Sequence, residues 1–224
     1  MKRPDQDPII KVAICDDHTL FRAGVRTALS VKKDVELIAE ADNGMQLLNL
    51  LKHIEPDVIL LDIQMPIMDG IQTLPEIRKV RPDAKVIMLS MYNDHSMISK
   101  LMEIGANSYL TKNSDSETIY QAIKTCYEQE FFFNELTNKA LLSGIRTKRN
   151  EPVGIQEANL SDKEVRVLKL MCEEKTTKEI ADIVDISPRT VEAIRDKLKV
   201  KTGSKSMAGL VMYAVKNGLI DEPN

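Results

Sequence analysis

Asp16 and Asp17, Asp62, Ser90 and Lys112 each stand at or just beyond the end of a short apolar run, and as a set they can handle a phosphoryl group. Three carboxylates in one cleft repel unless a hard cation joins them. Mg²⁺, with its preference for oxygen ligands, is the natural occupant. A carboxylate beside such a cation can act as a nucleophile toward phosphorus and give an acyl phosphate. A lysine there neutralises phosphate charge, and a serine hydroxyl donates to a phosphate oxygen. Singly these residues say little, because an aspartate after a strand is more often a helix cap and a lysine is usually solvated.

A second set lies near the C-terminus. The net charge of −3 suits a nucleic-acid binder poorly until it is divided along the chain. Residues 1–128 carry 15 Lys and Arg against 19 Asp and Glu, whereas residues 160–224 carry 12 against 11. Within 188–205, six basic residues (Arg189, Arg195, Lys197, Lys199, Lys201, Lys205) stand against Glu192 and Asp196. That local excess could face phosphates.

The elements that must position these residues follow from hydrophobic patterning. Lys11–Ile14, Val35–Ala41, Val58–Ile63, Val86–Met91 and Ser108–Leu110 are runs of strand length, rich in Val, Ile and Leu without strict alternation. Such runs suit parallel strands covered on both faces. Between them lie amphipathic segments: Leu20–Leu29, Met45–Ile54, Ile71–Val80, His95–Ile104 and Ser116–Tyr127. Ser114-x-x-Glu117 reads as a capping box, Gly105 as a C-cap, and Pro75 should kink the third helix or delay its start. Five strand–helix units predict an α/β, doubly wound (βα)5 sheet with right-handed crossovers. Ligands of such sheets bind beyond the carboxyl ends of the strands, where strand order reverses.

After Glu128 the pattern changes. Phe131–Phe133 is expected to pack the end of the preceding helix, Glu135–Leu142 reads as a short helix, and residues 144–159 read as linker. The last segment is all helix. Capping boxes at Ser161-x-x-Glu164 and Thr176-x-x-Glu179 open Asp162–Cys172 and Thr177–Val184. Ser187-Pro188 opens Arg189–Lys201, and Met207–Lys216 ends at Asn217-Gly218. Thr177–Val184, a turn at Asp185–Pro188 and Arg189–Lys201 make a helix-turn-helix. Val191, Ile194 and Leu198 should face inward, leaving Arg189, Glu192, Ala193 and Asp196 on the outward face.

The motifs Cys15-Asp16-Asp17, Leu60-Leu61-Asp62 through Met68-Asp69-Gly70, Met88-Leu89-Ser90 and Gly105-Ala106 through Thr111-Lys112 closely resemble the response-regulator receiver family. The resemblance covers roughly residues 10–128. It implies a flavodoxin-like receiver with Asp62 as phosphoacceptor. Asp17 and Asp62 would be Mg²⁺ ligands, Asp16 would hold metal-bound water, and the Gln64 carbonyl would be a third protein ligand. Ser90 and Tyr109 fall on the family's switch positions, where phosphate draws the hydroxyl inward and the aromatic ring fills the space left. Asn113 stands where many members have proline after the lysine, which leaves a cis bond there in doubt.

Residues 160–220 resemble the LuxR-type (NarL/FixJ-like) four-helix domain, through Leu160-Ser161-Asp162-Lys163-Glu164, Lys178-Glu179-Ile180-Ala181, Ser187-Pro188-Arg189-Thr190-Val191-Glu192 and Gly218-Leu219-Ile220. Ile194 and Thr202 depart from the common His and Leu. The resemblance implies base reading by Glu192, Ala193 and Asp196. Affinity is expected mainly from Lys178, Arg189, Arg195, Lys197, Lys199 and Lys201 meeting phosphates, with Thr190 also among the DNA-binding residues. It also implies a dimerisation helix carrying Met207, Leu210 and Val211. Carboxylates can accept from cytosine N4 and alanine can meet a thymine methyl. Equally, the acids could pair with Lys199 or Lys178.

The expected organisation is a receiver over 8–128, a linker with a short helix over 129–159, and a DNA-binding domain over 160–222. The expected function is a two-component transcriptional regulator, not an enzyme, switched by phosphorylation at Asp62 from a sensor histidine kinase. It would bind double-stranded DNA as a homodimer. A phosphorylation-independent DNA-binding regulator is the alternative. A magnesium-dependent phosphatase of the D-x-D-x-T type is disfavoured because Asp16 and Asp17 are adjacent. Cys15, Cys126 and Cys172 form no C-x-x-C and suggest neither disulfides nor zinc. No apolar run reaches the roughly 18 residues of a membrane span, and the polar start lacks a signal peptide's apolar stretch, so a cytoplasmic location is expected.

Overall fold

The computed structural model describes residues 8–148, 159–173, 175–204 and 206–220. Residues 149–158 of the expected linker, Lys205, and the end of the expected DNA-binding domain at 221–222 lie outside the described residues. Five strands, β1 (Ile10–Cys15), β2 (Val35–Ala41), β3 (Val58–Asp62), β4 (Lys85–Ser90) and β5 (Ser108–Thr111), form one sheet of order β2-β1-β3-β4-β5. The β1–β2, β1–β3 and β3–β4 pairings are parallel. Val12–Cys15, Val58–Leu61 and Val86–Leu89 are entirely buried, which is why these strands show no alternation. Order reverses between β1 and β3, and Asp16, Asp17 and Asp62 sit at the carboxyl ends of these two strands.

The alternating helices are α1 (Thr19–Ser30), α2 (Gly44–Leu50), α3 (Gly70–Val80), α4 (His95–Ile104) and α5 (Ser116–Gln129). Pro75 neither delays α3 nor ends it: the helix starts at Gly70 with an Asp69/Gln72 capping box and runs through the proline. Gly105 caps α4 at a φ of 130°, as glycine allows. The start of α5 differs from expectation. Asp115 accepts from the Thr118 amide at 2.7 Å, while Ser114 instead bonds back to Thr111 and Glu117 reaches Lys32.

The remaining helices are α6 (Glu135–Lys148), α7 (Asp162–Cys172), α8 (Thr177–Val184), α9 (Pro188–Thr202) and α10 (Met207–Lys216). Helix α6 runs beyond the expected Leu142, through Gly144, and so takes residues 144–148 from the expected linker. One internal glycine costs a helix about 1 kcal/mol against alanine, too little to end it. Both capping boxes of α7 and α8 form, and Ser187 caps α9 ahead of Pro188. Asp185 takes a left-handed conformation in the turn between α8 and α9.

The chain divides into two compact units: Met1–Tyr92 with Leu110–Tyr127, and Asn93–Tyr109 with Glu128–Asn224. Within the second unit, Val167, Leu168, Met171, Ile180, Val191, Leu198 and Leu210 form a core. Phe131 belongs to that core and Phe133 packs against it, which corrects the expectation that they would cover the preceding helix. Burying a phenylalanine is worth about 1.5–3 kcal/mol, enough to draw this segment toward the larger apolar surface. Among the described residues, no helix is long and apolar enough to cross a membrane.

Candidate functional site

Beyond the carboxyl ends of β1, β3 and β5, Lys112 points its ammonium between two buried carboxylates. Its Nζ lies 2.7 Å from Asp62 Oδ2 and 2.8 Å from Asp16 Oδ2. Burial alone would lower the Lys112 pKa, but hydrogen bonds and charge from Asp16 and Asp62 outweigh it and hold the ammonium above its usual value. Asp62 is raised, first by burial and then by the neighbouring Asp16 charge, against hydrogen bonds from Lys112 and the Gln64 amide. Asp16 is fully buried, while Asp17 is partly exposed. The Arg22 guanidinium donates to the Asp16 carbonyl and fixes the turn that presents the pair.

His18 is a member of the cluster that its sequence position alone did not single out. Its Nδ1 lies 2.8 Å from Asp17 Oδ1, 3.2 Å from Asp16 Oδ1 and 3.3 Å from Lys112 Nζ. Ligand atoms of Asp16, Asp17, His18 and Asp62 all fall within 4.8 Å of one another. With three carboxylates facing a single lysine, the pocket is short of positive charge, and its oxygen-rich donors fit a hard divalent cation such as Mg²⁺. Gln64 follows β3 with its side chain exposed.

Ser90 ends β4, buried, with its Oγ accepting from the Tyr92 amide at 3.1 Å; its carbonyl accepts from the Lys112 amide at 2.8 Å. Tyr109 on β5 is buried, the inward position for its ring. Lys112–Asn113 is trans. Cys15, Cys126 and Cys172 are free thiols, and burial pushes Cys172 up to about 12, leaving it an unreactive thiol.

On the helix-turn-helix, Lys178, Arg189, Thr190, Glu192, Ala193, Asp196 and Lys197 are exposed and Lys199 is half-buried. Lys199 stands 4.0 Å from Asp196, and Thr190 shares a hydrogen bond with Ser187. Arg195 departs from the expected phosphate-facing row. It is buried, ion-paired with Glu130 and bonded to Thr177, so the inner stripe of α9 runs Val191, Arg195, Leu198 with Ile194 at its margin. Lys201 and Lys197 lie 2.7 Å and 3.3 Å from the buried Glu164. Met207, Leu210 and Val211, expected on the dimerisation helix, are buried in the core of their unit.

Glu164 therefore serves two elements: it completes the α7 capping box and anchors the end of α9. The Lys201 ammonium, then the Ser161 amide, hold its carboxyl down at about 2, from an ordinary 4.5. A depressed carboxylate pKa stabilises above the unfolded value and is lost as pH falls through the folded one. We expect the wild type's resistance to urea to fall between pH 4.5 and 2 through this group. Glu164→Gln, which can keep the capping-box bond but not the charge, should lose about 1 kcal/mol at neutral pH, the upper end for a partly exposed ion pair, and show a shallower acid dependence. Identical acid slopes in the two proteins would rule out this role.

The profile of the response regulator receiver domain matches residues 12–124, and that of bacterial regulatory proteins of the luxR family matches residues 158–214. The oxygen regulatory protein NreC of Staphylococcus aureus (strain MRSA252) is 30% identical, over 95% of this chain and 100% of its own. The transcriptional regulatory protein DegU of Brevibacillus brevis is 28% identical, over 94% of this chain and 95% of its own. Among solved structures, the signal receiver domain of NarL from Mycobacterium tuberculosis is 36% identical, with a TM-score of 0.51 over 54% of this chain and 97% of that one. RcsB of Salmonella typhimurium shares the fold, at 24% identity and a TM-score of 0.56 over 92% of this chain and 97% of that one. A receiver profile spanning half the chain, and a relative aligned from end to end, place the acidic pocket and the helix-turn-helix in one lineage: this chain belongs to the response regulators, with an output segment of the luxR family.

Proposed function

We propose that Asp62 accepts a phosphoryl group from a sensor histidine kinase and that this state controls DNA binding by the C-terminal helices. The observation that carries the reading is the Lys112 ammonium held between Asp62 and Asp16 in a buried pocket. In the transfer, an Asp62 carboxylate oxygen bonds to phosphorus, the phosphorus–nitrogen bond of the donor breaks, and the leaving imidazole takes a proton. Mg²⁺ bound by Asp17, Asp62, the Gln64 carbonyl and water on Asp16 would neutralise the charge that develops on the transferred group. Lys112 follows a phosphate oxygen, and Ser90 turns its hydroxyl from the Tyr92 amide toward it. Tyr109, already inward, has its place secured when Ser90 leaves the way clear.

We take the receiver as 8–128, the linker as 129–159 and the DNA-binding domain as 160–222. RcsB, of like fold, has been solved with DNA, which supports a duplex as the output ligand. Glu192, Ala193 and Asp196 are placed to meet base edges, with Lys178, Arg189, Thr190, Lys197 and Lys199 toward phosphates. Pairing of two copies through α10 requires Met207, Leu210 and Val211 to be uncovered first. The protein works in the cytoplasm, where the kinase domain and the DNA are both within reach.

Incubation with Mg²⁺ and acetyl phosphate, followed by intact-mass measurement, tests the chemistry. The wild type should gain one phosphoryl group and Asp62→Asn none. Equal labelling of the variant would exclude Asp62 as acceptor.

A further inference from the structure

The segment that joins α5 to α6 brings a charge to the recognition helix. Glu130 lies just after α5, and its carboxylate meets the Arg195 guanidinium on α9. Arg195 Nη1 also donates to Thr177 Oγ1 at 3.0 Å, in the first turn of α8. A guanidinium with a hydroxyl beside it can hold an oxyanion. The carboxylate on the guanidinium shows that Arg195 takes an anion.

The location of that site identifies the competing ligand. Arg195 is three residues from Glu192 and so about 60° round the helix from it at 100° per residue, where the inner stripe borders the outward face. Glu192 and Asp196 on either side are exposed, and Lys178 and Arg189 near the two helix starts are exposed and basic. A duplex lying along that face presents a phosphate every few ångströms, and the first helix of such a motif crosses the backbone.

Glu130 is held in place rather than drifting there. It has a φ of 74°, a left-handed conformation that a non-glycine residue adopts reluctantly, so its surroundings must impose it. They do so on both sides. Its carbonyl accepts from the Asn107 side chain, the Phe132 amide donates to the Asn107 carbonyl at 3.1 Å, and Ser108 Oγ donates to the Phe132 carbonyl at 2.7 Å. Asn134 adds a bond to the Tyr109 carbonyl at 2.9 Å, and Phe131 sits in the helical core.

We propose that Arg195 and Thr177 form a binding site for a DNA backbone phosphate, and that the Glu130 carboxylate occupies this site as an internal mimic of that phosphate. The strap 130–134 and the duplex then compete for one guanidinium. Because the strap is bonded to Asn107–Tyr109, at the start of the strand that carries a switch residue, movement there loosens Glu130 and frees Arg195 for DNA. This inference rests on DNA binding by the output helices but not on phosphorylation.

The test uses the full chain without phosphodonor, a short random-sequence duplex carrying a fluorophore, and anisotropy at several salt concentrations. Glu130→Gln keeps the shape and removes the charge. It should bind tighter than wild type, with the slope of log K against log salt steeper by about 0.9, the worth of one added phosphate contact. In an Arg195→Gln background the same change should alter neither affinity nor slope. A tighter Glu130→Gln with an unchanged slope, or a gain that persists without Arg195, would overturn the shared site and leave DNA binding intact. Absence of binding by every variant at low salt would overturn both this proposal and the DNA-binding reading on which it rests.

Discussion

Lys112→Ala is expected to destabilise the receiver by about 3–5 kcal/mol at neutral pH in the presence of a chelator, the cost of removing one partner from a buried ion pair. The ammonium is almost fully buried between Asp16 and Asp62, and among the described residues no other cation pairs with both. Its raised pKa means that its contribution is complete below the ordinary 10.5 and is lost only as pH rises through the higher folded value. Asp62 has the opposite effect. Its folded pKa is raised from 3.8, so the protonated form is favoured in the fold, and that advantage is lost as pH climbs from 3.8 through the folded value. At neutral pH the ionised carboxylate is therefore a burden that Lys112 relieves. Adding Asp62→Asn to Lys112→Ala should recover part of the loss, and so should Mg²⁺. Urea midpoints with chelator and with Mg²⁺ check both. An unchanged midpoint for Lys112→Ala in chelator would show that the pair contributes nothing to the fold.

Gly70→Ala should have the second largest effect, and for a steric reason. A Cβ at this position would lie 2.1 Å from the Asp62 carbonyl oxygen and 3.0 Å from both the Asp62 carbonyl carbon and the Ile63 Cα. All three are backbone atoms at the end of β3, and the Gly70 amide itself donates to the Ile63 carbonyl at 2.9 Å. No rotamer change can make room, so either α3 or the strand end must shift. Overpacking of this kind costs about 1–3 kcal/mol, and more where backbone must move. Since the strand end carries Asp62, the labelling rate with acetyl phosphate should fall with the midpoint. A variant that labels at the wild-type rate would show that α3 yields and the acceptor does not.

The strand–helix order and the acidic pocket were readable because they depend on local signals. Continuous apolar runs mark the buried strands, and Asp16, Asp17, Asp62, Ser90 and Lys112 stand at their ends. What escaped depends on contacts between residues distant in sequence. Helical spacing makes Val191, Ile194 and Leu198 an inner stripe, yet Arg195 joins it, because Glu130 supplies a counter-charge that no spacing rule predicts. Phe131 and Phe133 show no more than a need for burial; the larger core, belonging to the later helices, meets it. Family likeness puts Met207, Leu210 and Val211 on a dimerisation helix, and the apolar character that suits an interface also suits a core. Asp115 and Ser114 are both competent caps, and only the geometry of the preceding turn chooses between them.

The strap has a consequence for the sheet itself. Strand β5 is the last in the order β2-β1-β3-β4-β5, and a terminal strand offers unpaired amides and carbonyls to any passing chain. Phe132 and Asn134 bond to Asn107, Ser108 and Tyr109 along the start of that strand, so the segment that carries Glu130 also closes part of its border. At the opposite border, β2 carries Glu36 and Glu40, charges that discourage strand addition. A strap that lets go to free the recognition helix therefore uncovers a template for strand pairing at the same moment. The conformation competent for DNA is also the one most open to self-association, and a protein that spent long in it without a duplex would be drawn toward aggregation.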